Sequence, residues 1–230
     1  MADVVIYSSA GCPYAHRTRL TLLEKNVDFT LTEIDLDNKP DWFTKVSPLS
    51  KVPVIQHGKN RVWESTIINE YLDEVFSDAP LMPTDPGERA IARIWIDFGN
   101  VKFVPTFYKL LLNQEQEKQK EWVQQLHSHL LFMEQEGIGI SSNGPYWLGE
   151  SLSLIDLSFY PWFERWCVLE HYRAFTLPST CLRLKQWYSA MLTRESVQSI
   201  KNSPDFYIQQ YIKYANNTAS GITAQEMRRM

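Results

Sequence analysis

Cysteine is scarce in this chain: 230 residues hold three, Cys12, Cys167 and Cys181. Three thiols make no disulfide framework in a chain of this size, and they form no zinc-ligand pattern. A secretory start is also missing, because Met1-Ala2-Asp3 runs straight into an apolar segment with no basic lead or small-residue cleavage site. No window approaches 18 uncharged apolar residues, which argues against a membrane span. The net charge of -4 gives no pull toward nucleic acid or anionic lipid. No internal repeat is visible. Together these absences point to an ordinary protein of the reducing cytoplasm. Asn216-Asn217-Thr218 fits a glycosylation pattern but reads as a solvated tail. Aromatics are plentiful (8 Trp, 11 Tyr, 11 Phe), which suits helix packing and apolar clefts.

The first third of the chain changes periodicity repeatedly. Val4-Val5-Ile6-Tyr7 is a short apolar run of the buried-strand kind, and Pro13 through Lys25 reads as a helix. Phe29, Leu31 and Ile34 mark a second strand, and Trp42-Phe43 falls in a short helix or turn. Val52-Pro53-Val54-Ile55 and Arg61-Val62-Trp63 read as two strands around His57-Gly58-Lys59-Asn60. Ser65 is placed to cap a helix whose apolar face carries Ile67, Ile68, Tyr71, Leu72 and Val75. The order is βαβ, a helical link, then ββα. These elements define a domain over 1–77, followed by a linker at 78–87 with three prolines and a glycine.

From 88 to 214 the pattern is helical throughout. Ile91, Ile94, Trp95 and Phe98 keep helical spacing, and Pro105 is placed to bend or end that helix. Trp122, Leu126, His129, Leu130 and Met133 form a second stripe. A turn-rich stretch, Gly144 to Gly149, leads into a third helix that starts at Ser153-Leu154-Ile155-Asp156. A hydroxyl at the cap with a carboxylate three residues on is a capping box, so Asp156 reads as structural rather than catalytic. Residues 215–230 are polar and non-periodic and read as a flexible tail.

The chemistry concentrates at Gly11-Cys12-Pro13-Tyr14, where a buried strand passes into a helix. Proline suits the first helical turn because its missing N–H needs no partner there. Cys12 therefore falls at a helix N-terminus, where exposed amides and the helix dipole favour a thiolate. Such placement lowers a thiol pKa from about 8.5 into roughly the 3.5–7.5 range. Arg17 and Arg19 add positive charge nearby. A second thiol three residues on would make a dithiol redox centre, but Ala15 stands there. Turnover through Cys12 then has to borrow a thiol from solution, and glutathione is the abundant one.

These residues resemble the omega-class glutathione transferases, with the plant lambda class a close relative. In the first domain the resemblance rests on Cys12-Pro13-Tyr14-Ala15-His16-Arg17-Thr18-Arg19, Asn38 to Phe43, Lys51-Val52-Pro53-Val54, Glu64-Ser65 and Glu70 to Glu74. In the second it rests on Ser153 to Asp156 and Pro161 to Arg165. It implies a thioredoxin-like α/β N-terminal domain, an all-α C-terminal domain, and a glutathione site on the first. It also implies a cis bond at Val52-Pro53, turning the Val52 backbone toward the cysteinyl part of glutathione. By the same resemblance Glu64 pairs with the γ-glutamyl amine, and Ser65 with its N–H holds the γ-glutamyl carboxylate. Lys39 attracts the glycine carboxylate, while Tyr14, in a place usually held by Phe, and Leu36 line the site. Tyr14, Phe107, Tyr108, Trp162 and Trp166 are candidate walls of an acceptor-substrate site between the domains. A stripe of aromatics at helical spacing is also the ordinary mark of a core. Arg165 either faces that site or pairs with Glu164 or Asp156.

The implied activity is glutathione-dependent thiol transfer and dehydroascorbate reduction, with glutathione as co-substrate and no metal. The omega resemblance implies a homodimer and the lambda resemblance a monomer. Three alternatives stand beside it. Tyr7, Ser8 or Ser9 would instead stabilise a glutathione thiolate for conjugation to electrophiles. A non-catalytic binding module would keep the fold alone. Membrane insertion, as in chloride-channel-like relatives, is opposed by His16, Arg17, Arg19, Glu24 and Lys25 in residues 14–28.

Overall fold

A computed structural model of the chain describes residues 3–140 and 144–229. It forms two compact units, Met1–Arg89 and Ala90–Met230. In the first, β1 (Val4–Ser8) leads through α1 (Pro13–Glu24) to β2 (Phe29–Glu33). A short α2 (Phe43–Val46), the hairpin β3 (Val54–His57) and β4 (Asn60–Trp63), and α3 (Ser65–Val75) follow. The sheet order is β2-β1-β3-β4, with β1 parallel to β2 and antiparallel to β3. The element order is the βαβ, helical link and ββα read from the changing periodicity, and the sheet is the thioredoxin-like one that the resemblance implies.

Alternation along the strands builds two clusters. Val4 and Ile6 join Leu22, Ile55, Ile68 and Leu72, the contributions of α1, β3 and α3. Ala15, Ile34, Phe43 and Val52 form the second, with Tyr7 and Cys12 packed against it. β3 begins at Val54, two residues later than the pattern suggests, since Pro53 has no N–H for the ladder. On α3 the buried stripe is Ile68 and Leu72. Ile67 and Val75, expected on the same face, are 58% and 44% exposed because they flank that stripe around the helix.

Ser65 is not the cap that its hydroxyl suggested. A capping serine has extended backbone angles; here the helix already includes Ser65, and Glu64 holds the cap position at φ 69°, ψ 115°. The linker is tied down rather than loose. Asp73 accepts the N–H groups of Leu81 and Met82, and also Lys25 Nζ at 2.7 Å. Lys25 in turn donates to the carbonyls of Asp78 and Ala79. The Asp85 carboxylate caps the Gly87 and Glu88 amides, so α4 (Pro86–Phe98) starts inside the stretch read as linker, and the division between units falls within its first turns.

The second unit is helical. After α4 comes a π-helical turn, Gly99–Phe103, and then α5 (Val104–Leu112). The expected effect of Pro105 is visible there. It cannot donate, so the α ladder gives way and Val104 N–H reaches back to Gly99 O. The rest comprises α6 (Gln116–Phe132), a π turn (Met133–Gly137), α7 (Leu154–Glu164), α8 (Trp166–Arg173), α9 (Leu182–Leu192), α10 (Glu195–Ile200), α11 (Pro204–Ala215) and α12 (Ile222–Arg229). The tail expectation is thus corrected. Residues 222–229 form a helix that buries Ala224 and Met227, and Arg228 binds the Asn217 side chain and the Ala219 carbonyl. Two apolar residues three apart suffice to seat so short a helix, and a periodicity scan does not see them.

All eleven residues of α7 are buried, which makes it the central helix. Its capping box is present, and Asp156 does more than cap. The carboxylate accepts Ser153 N–H and Oγ–H at 2.7 Å, Trp147 N–H at 2.9 Å and Trp187 Nε1–H at 2.8 Å. Burial pushes this carboxyl up, while those hydrogen bonds pull the other way. The turn before α7 needs Gly144 at φ 81°, where a Cβ would lie 2.3 Å from the Gly149 backbone. Asp156→Ala should destabilise the protein by about 3 kcal/mol, because it strands several buried donors at once. Urea unfolding checks this, and a shift below about 1 kcal/mol would show that the donors find other partners.

Candidate active site

β1 ends at Ser8, and the chain turns once before α1. Cys12 N–H donates to Ser9 O at 3.0 Å, and Ala10 N–H donates to the Glu33 carboxylate at 2.6 Å. Cys12 is the N-cap of α1 (φ -84°, ψ 118°), Pro13 opens the first turn, and Cys12 O accepts His16 N–H at 3.0 Å. Cys12 thus stands at a helix start whose first-turn amides have no partner within the helix, although its side chain makes no capping hydrogen bond to them. Cys12 is half-buried, and Sγ lies 3.8 Å from Val52 O. Ala15, where a resolving thiol would stand, is fully buried. Cys167 and Cys181 belong to the helical unit, and none of the three cysteines is in a disulfide.

Val52-Pro53 is cis, as the resemblance implied, and the Val52 carbonyl meets the thiol. Ser65, 5% exposed, is the first residue of α3, beside Glu64, which is an exposed residue. Glu64 occupies a sparsely populated backbone region, which costs of order 1–3 kcal/mol and is a common feature of binding residues. Lys39 Nζ donates to Ser50 O at 2.7 Å, and burial lowers its pKa. A lysine whose charge is poorly solvated gains by meeting an anion. Tyr14 is half-buried at the start of α1, and Leu36 is 40% exposed in the loop after β2. Among the described residues the contacts join Cys12 to Val52 and Lys39 to Ser50.

Beyond adding charge near Cys12, the Arg17 side chain turns to the start of α3. Nη1 donates to Ser65 Oγ at 3.4 Å, and Cζ lies 5.5 Å from the Tyr14 ring centroid. The signal was there, since an arginine in the buried half of a helix needs a polar destination.

The candidate acceptor walls lie in the core of the helical unit. Phe107, Tyr108, Trp162 and Trp166 are at most 6% exposed. Phe107 packs on Tyr108 and Trp166, and Tyr108 stacks on Tyr211. Their helical spacing here marks a core. Arg165 is buried too, donating to Pro161 O and lying 4.3 Å over the Tyr207 ring. Of the alternative thiolate stabilisers, Tyr7 packs on Trp42 and Phe43, Ser8 is fully buried in β1, and Ser9 offers its carbonyl to Cys12. Among the described residues no cluster of three or more His, Cys, Asp or Glu is placed to hold a metal ion, and no helix is long and apolar enough to cross a membrane.

A thioredoxin-like sheet with a cis-proline loop, followed by an all-helical unit, is the architecture of glutathione transferases. Residues 11–75 match the family described as glutathione S-transferase, N-terminal domain. The chain is 30% identical over 216 residues to glutathione S-transferase omega-1 of Sus scrofa, covering 89% of this chain and 86% of that one. It is 35% identical over 211 residues to glutathione S-transferase U25 of Arabidopsis thaliana, covering 89% and 91%. The crystal structure of glutathione transferase Omega 3C from Trametes versicolor superposes with a TM-score of 0.84 at 31% identity, over 94% of this chain and 92% of that one. The chain belongs to the glutathione transferase family, and omega-class members are among its relatives.

The three thiols should differ in reactivity. Burial, with Glu170 near one and Glu134 near the other, pushes the Cys167 and Cys181 thiols up, away from the reactive thiolate. Timed iodoacetamide labelling at neutral pH with peptide mapping should find Cys12 modified first. Equal rates at the three sites would show that the start of α1 gives no activation.

Proposed function

We propose that the protein is a glutathione-dependent thiol transferase and dehydroascorbate reductase in which Cys12 forms a mixed disulfide with glutathione. The observation that carries this reading is the pairing of Cys12 at the N-cap of α1 with a buried Ala15 in the resolving position. A nucleophilic thiol without a local partner must be resolved by a second, soluble thiol. Omega-class relatives at 30% and 31% identity support the choice of glutathione as that thiol.

In the proposed cycle the Cys12 thiolate attacks the glutathionyl sulfur of a substrate mixed disulfide. The new Cys12–S–S–glutathione bond forms as the substrate sulfur leaves with the electron pair and takes a proton from water. A glutathione thiolate then attacks the glutathionyl sulfur, releasing oxidised glutathione and the Cys12 thiolate. With dehydroascorbate, two glutathiones supply the two electrons and become one disulfide, and ascorbate is the product. The α1 amides stabilise Cys12 as attacker and as leaving group alike. Glu64 pairs with the γ-glutamyl amine, and Ser65 with its N–H holds the γ-glutamyl carboxylate. Lys39 draws the glycine carboxylate, the Val52-Pro53 backbone aligns the cysteinyl portion, and Tyr14 and Leu36 flank it. A reducing cytoplasm supplies the co-substrate.

The test compares wild type with Cys12→Ser in glutathione-dependent reduction of hydroxyethyl disulfide and of dehydroascorbate. The serine variant should lose more than about 100-fold in both, because a serine hydroxyl is no nucleophile in disulfide exchange. Glu64→Gln should raise KM for glutathione about tenfold with a smaller change in kcat, as loss of a charge-assisted pair would. Equal activity in both proteins, or conjugation of a chlorinated aromatic as the sole reaction, would overturn the Cys12 cycle.

A further inference from the structure

The helical unit carries a cleft of about 360 Å³ that the proposed thiol chemistry does not use. That volume falls within the range of roughly 300–1,000 Å³ found for small-molecule sites. Its walls come from the C-terminal end of α5, the first turns of α6 and the closing helix α12. Leu112, Trp122 and Met227 supply apolar surface, and Met227 is, with Ala224, a residue that α12 buries.

The charge on these walls is one-sided. Lys109 and Arg228 line the cleft, and neither is in an ion pair among the described residues. Lys109 Nζ lies 4.8 Å from the centroid of the Trp122 ring, and an indole face attracts a cation without neutralising it. Arg228 gives its hydrogen bonds to neutral acceptors. Its Nε donates to Asn217 Oδ1 at 2.7 Å, and Nη2 donates to the carbonyls of Asn217 at 3.1 Å and Ala219 at 2.7 Å. Glu115, the carboxylate among the lining residues, is taken by Lys118 at 2.9 Å.

Two cations without a counter-charge beside an apolar wall suit a ligand that has both an acid and a ring. Burial of the ring supplies affinity, and charge-assisted hydrogen bonds to the acid fix its orientation. A neutral ring leaves both cations unmet, and a small inorganic anion leaves the apolar wall wet.

We infer that this cleft is a binding site for a small aromatic carboxylate, built wholly from the helical unit and independent of the glutathione reading. The acid meets Lys109 and Arg228, and the ring lies against Leu112, Trp122 and Met227. Such an occupant bridges α12 to α5 and α6. It therefore fastens a helix whose own seat is Ala224, Met227 and the Arg228 contacts.

The probe is 1-naphthoate, titrated calorimetrically into the full chain, with 1-naphthamide as its uncharged counterpart. The acid should bind saturably and the amide at least about tenfold more weakly, because the amide gives up the charge-assisted contacts. Lys109→Gln and Trp122→Ala should each weaken naphthoate binding about tenfold. Hydrogen exchange in the wild type locates the ligand, since the amides of 222–229 should exchange several-fold more slowly when naphthoate is bound. Cys12→Ser and saturating glutathione sulfonate should both leave naphthoate affinity unchanged. Melting without ligand tests whether the variants are folded. Lys109→Gln removes only the ring contact, and if Trp122→Ala does not fold, Trp122→Phe takes its place with a loss of about threefold. No saturable binding of naphthoate up to about 1 mM overturns the site, as does equal affinity for the amide or an undiminished affinity in folded Lys109→Gln. Competition by glutathione sulfonate without slower exchange in α12 also overturns it, because the ligand then sits at the glutathione site.

Discussion

A helix N-terminus presents amides that nothing inside the helix satisfies, and the first unit is arranged around two such ends. Cys12 holds the cap position of α1, and α3 begins at Glu64 and Ser65. Both helix starts favour negative charge, which in the proposed function is a sulfur at one and a carboxylate at the other. The sheet sets their placement. β1 delivers the chain to Cys12, and the β3–β4 hairpin delivers it to Glu64, with β1 and β3 paired as neighbours. A seam of polar contacts then fixes the helices against each other. Arg17 meets Ser65, Thr18 meets Asn69, and Lys25 meets Asp73, while apolar packing of Leu22, Ile68 and Leu72 fills the space beneath.

The proposed function works with one thiol in this unit, and the packing of α1 is consistent with that. In a dithiol centre the second sulfur stands on the first turn of the helix. Here Ala15 occupies that turn and is packed with Ile34, Phe43 and Val52. The space is used for core, and in the proposed cycle the resolving sulfur arrives as a ligand. What α3 supplies, in the proposed function, is the means of holding that ligand by its charged end while its sulfur meets Cys12.

Much of this was legible in the chain. Apolar runs and helical stripes marked every strand and helix of the first unit in order, with β3 placed two residues early because Pro53 keeps Val52 and Pro53 out of the ladder. Ser153 and Asp156 announced the start of α7, and Pro105 announced the break before α5. The strained cap at Glu64 left no local trace, since an ordinary Ser65 cap has the same letters. The closing helix α12 was hidden because only Ala224 and Met227 are buried. The four aromatics expected to line an acceptor site have the same spacing whether they face a cleft or a core, and burial alone tells the two apart. Arg17 was visible as a charge, but its destination depended on α3, 48 residues further along.

The central claim is that Cys12 carries glutathione covalently. Intact-protein mass spectrometry after brief exposure to oxidised glutathione, followed by peptide mapping, reads this without any choice of acceptor substrate. The account predicts a single glutathionyl adduct located on Cys12, removed by added glutathione and absent from Cys12→Ser. An unmodified Cys12, or an adduct on Cys167 or Cys181 with Cys12 intact, would contradict it.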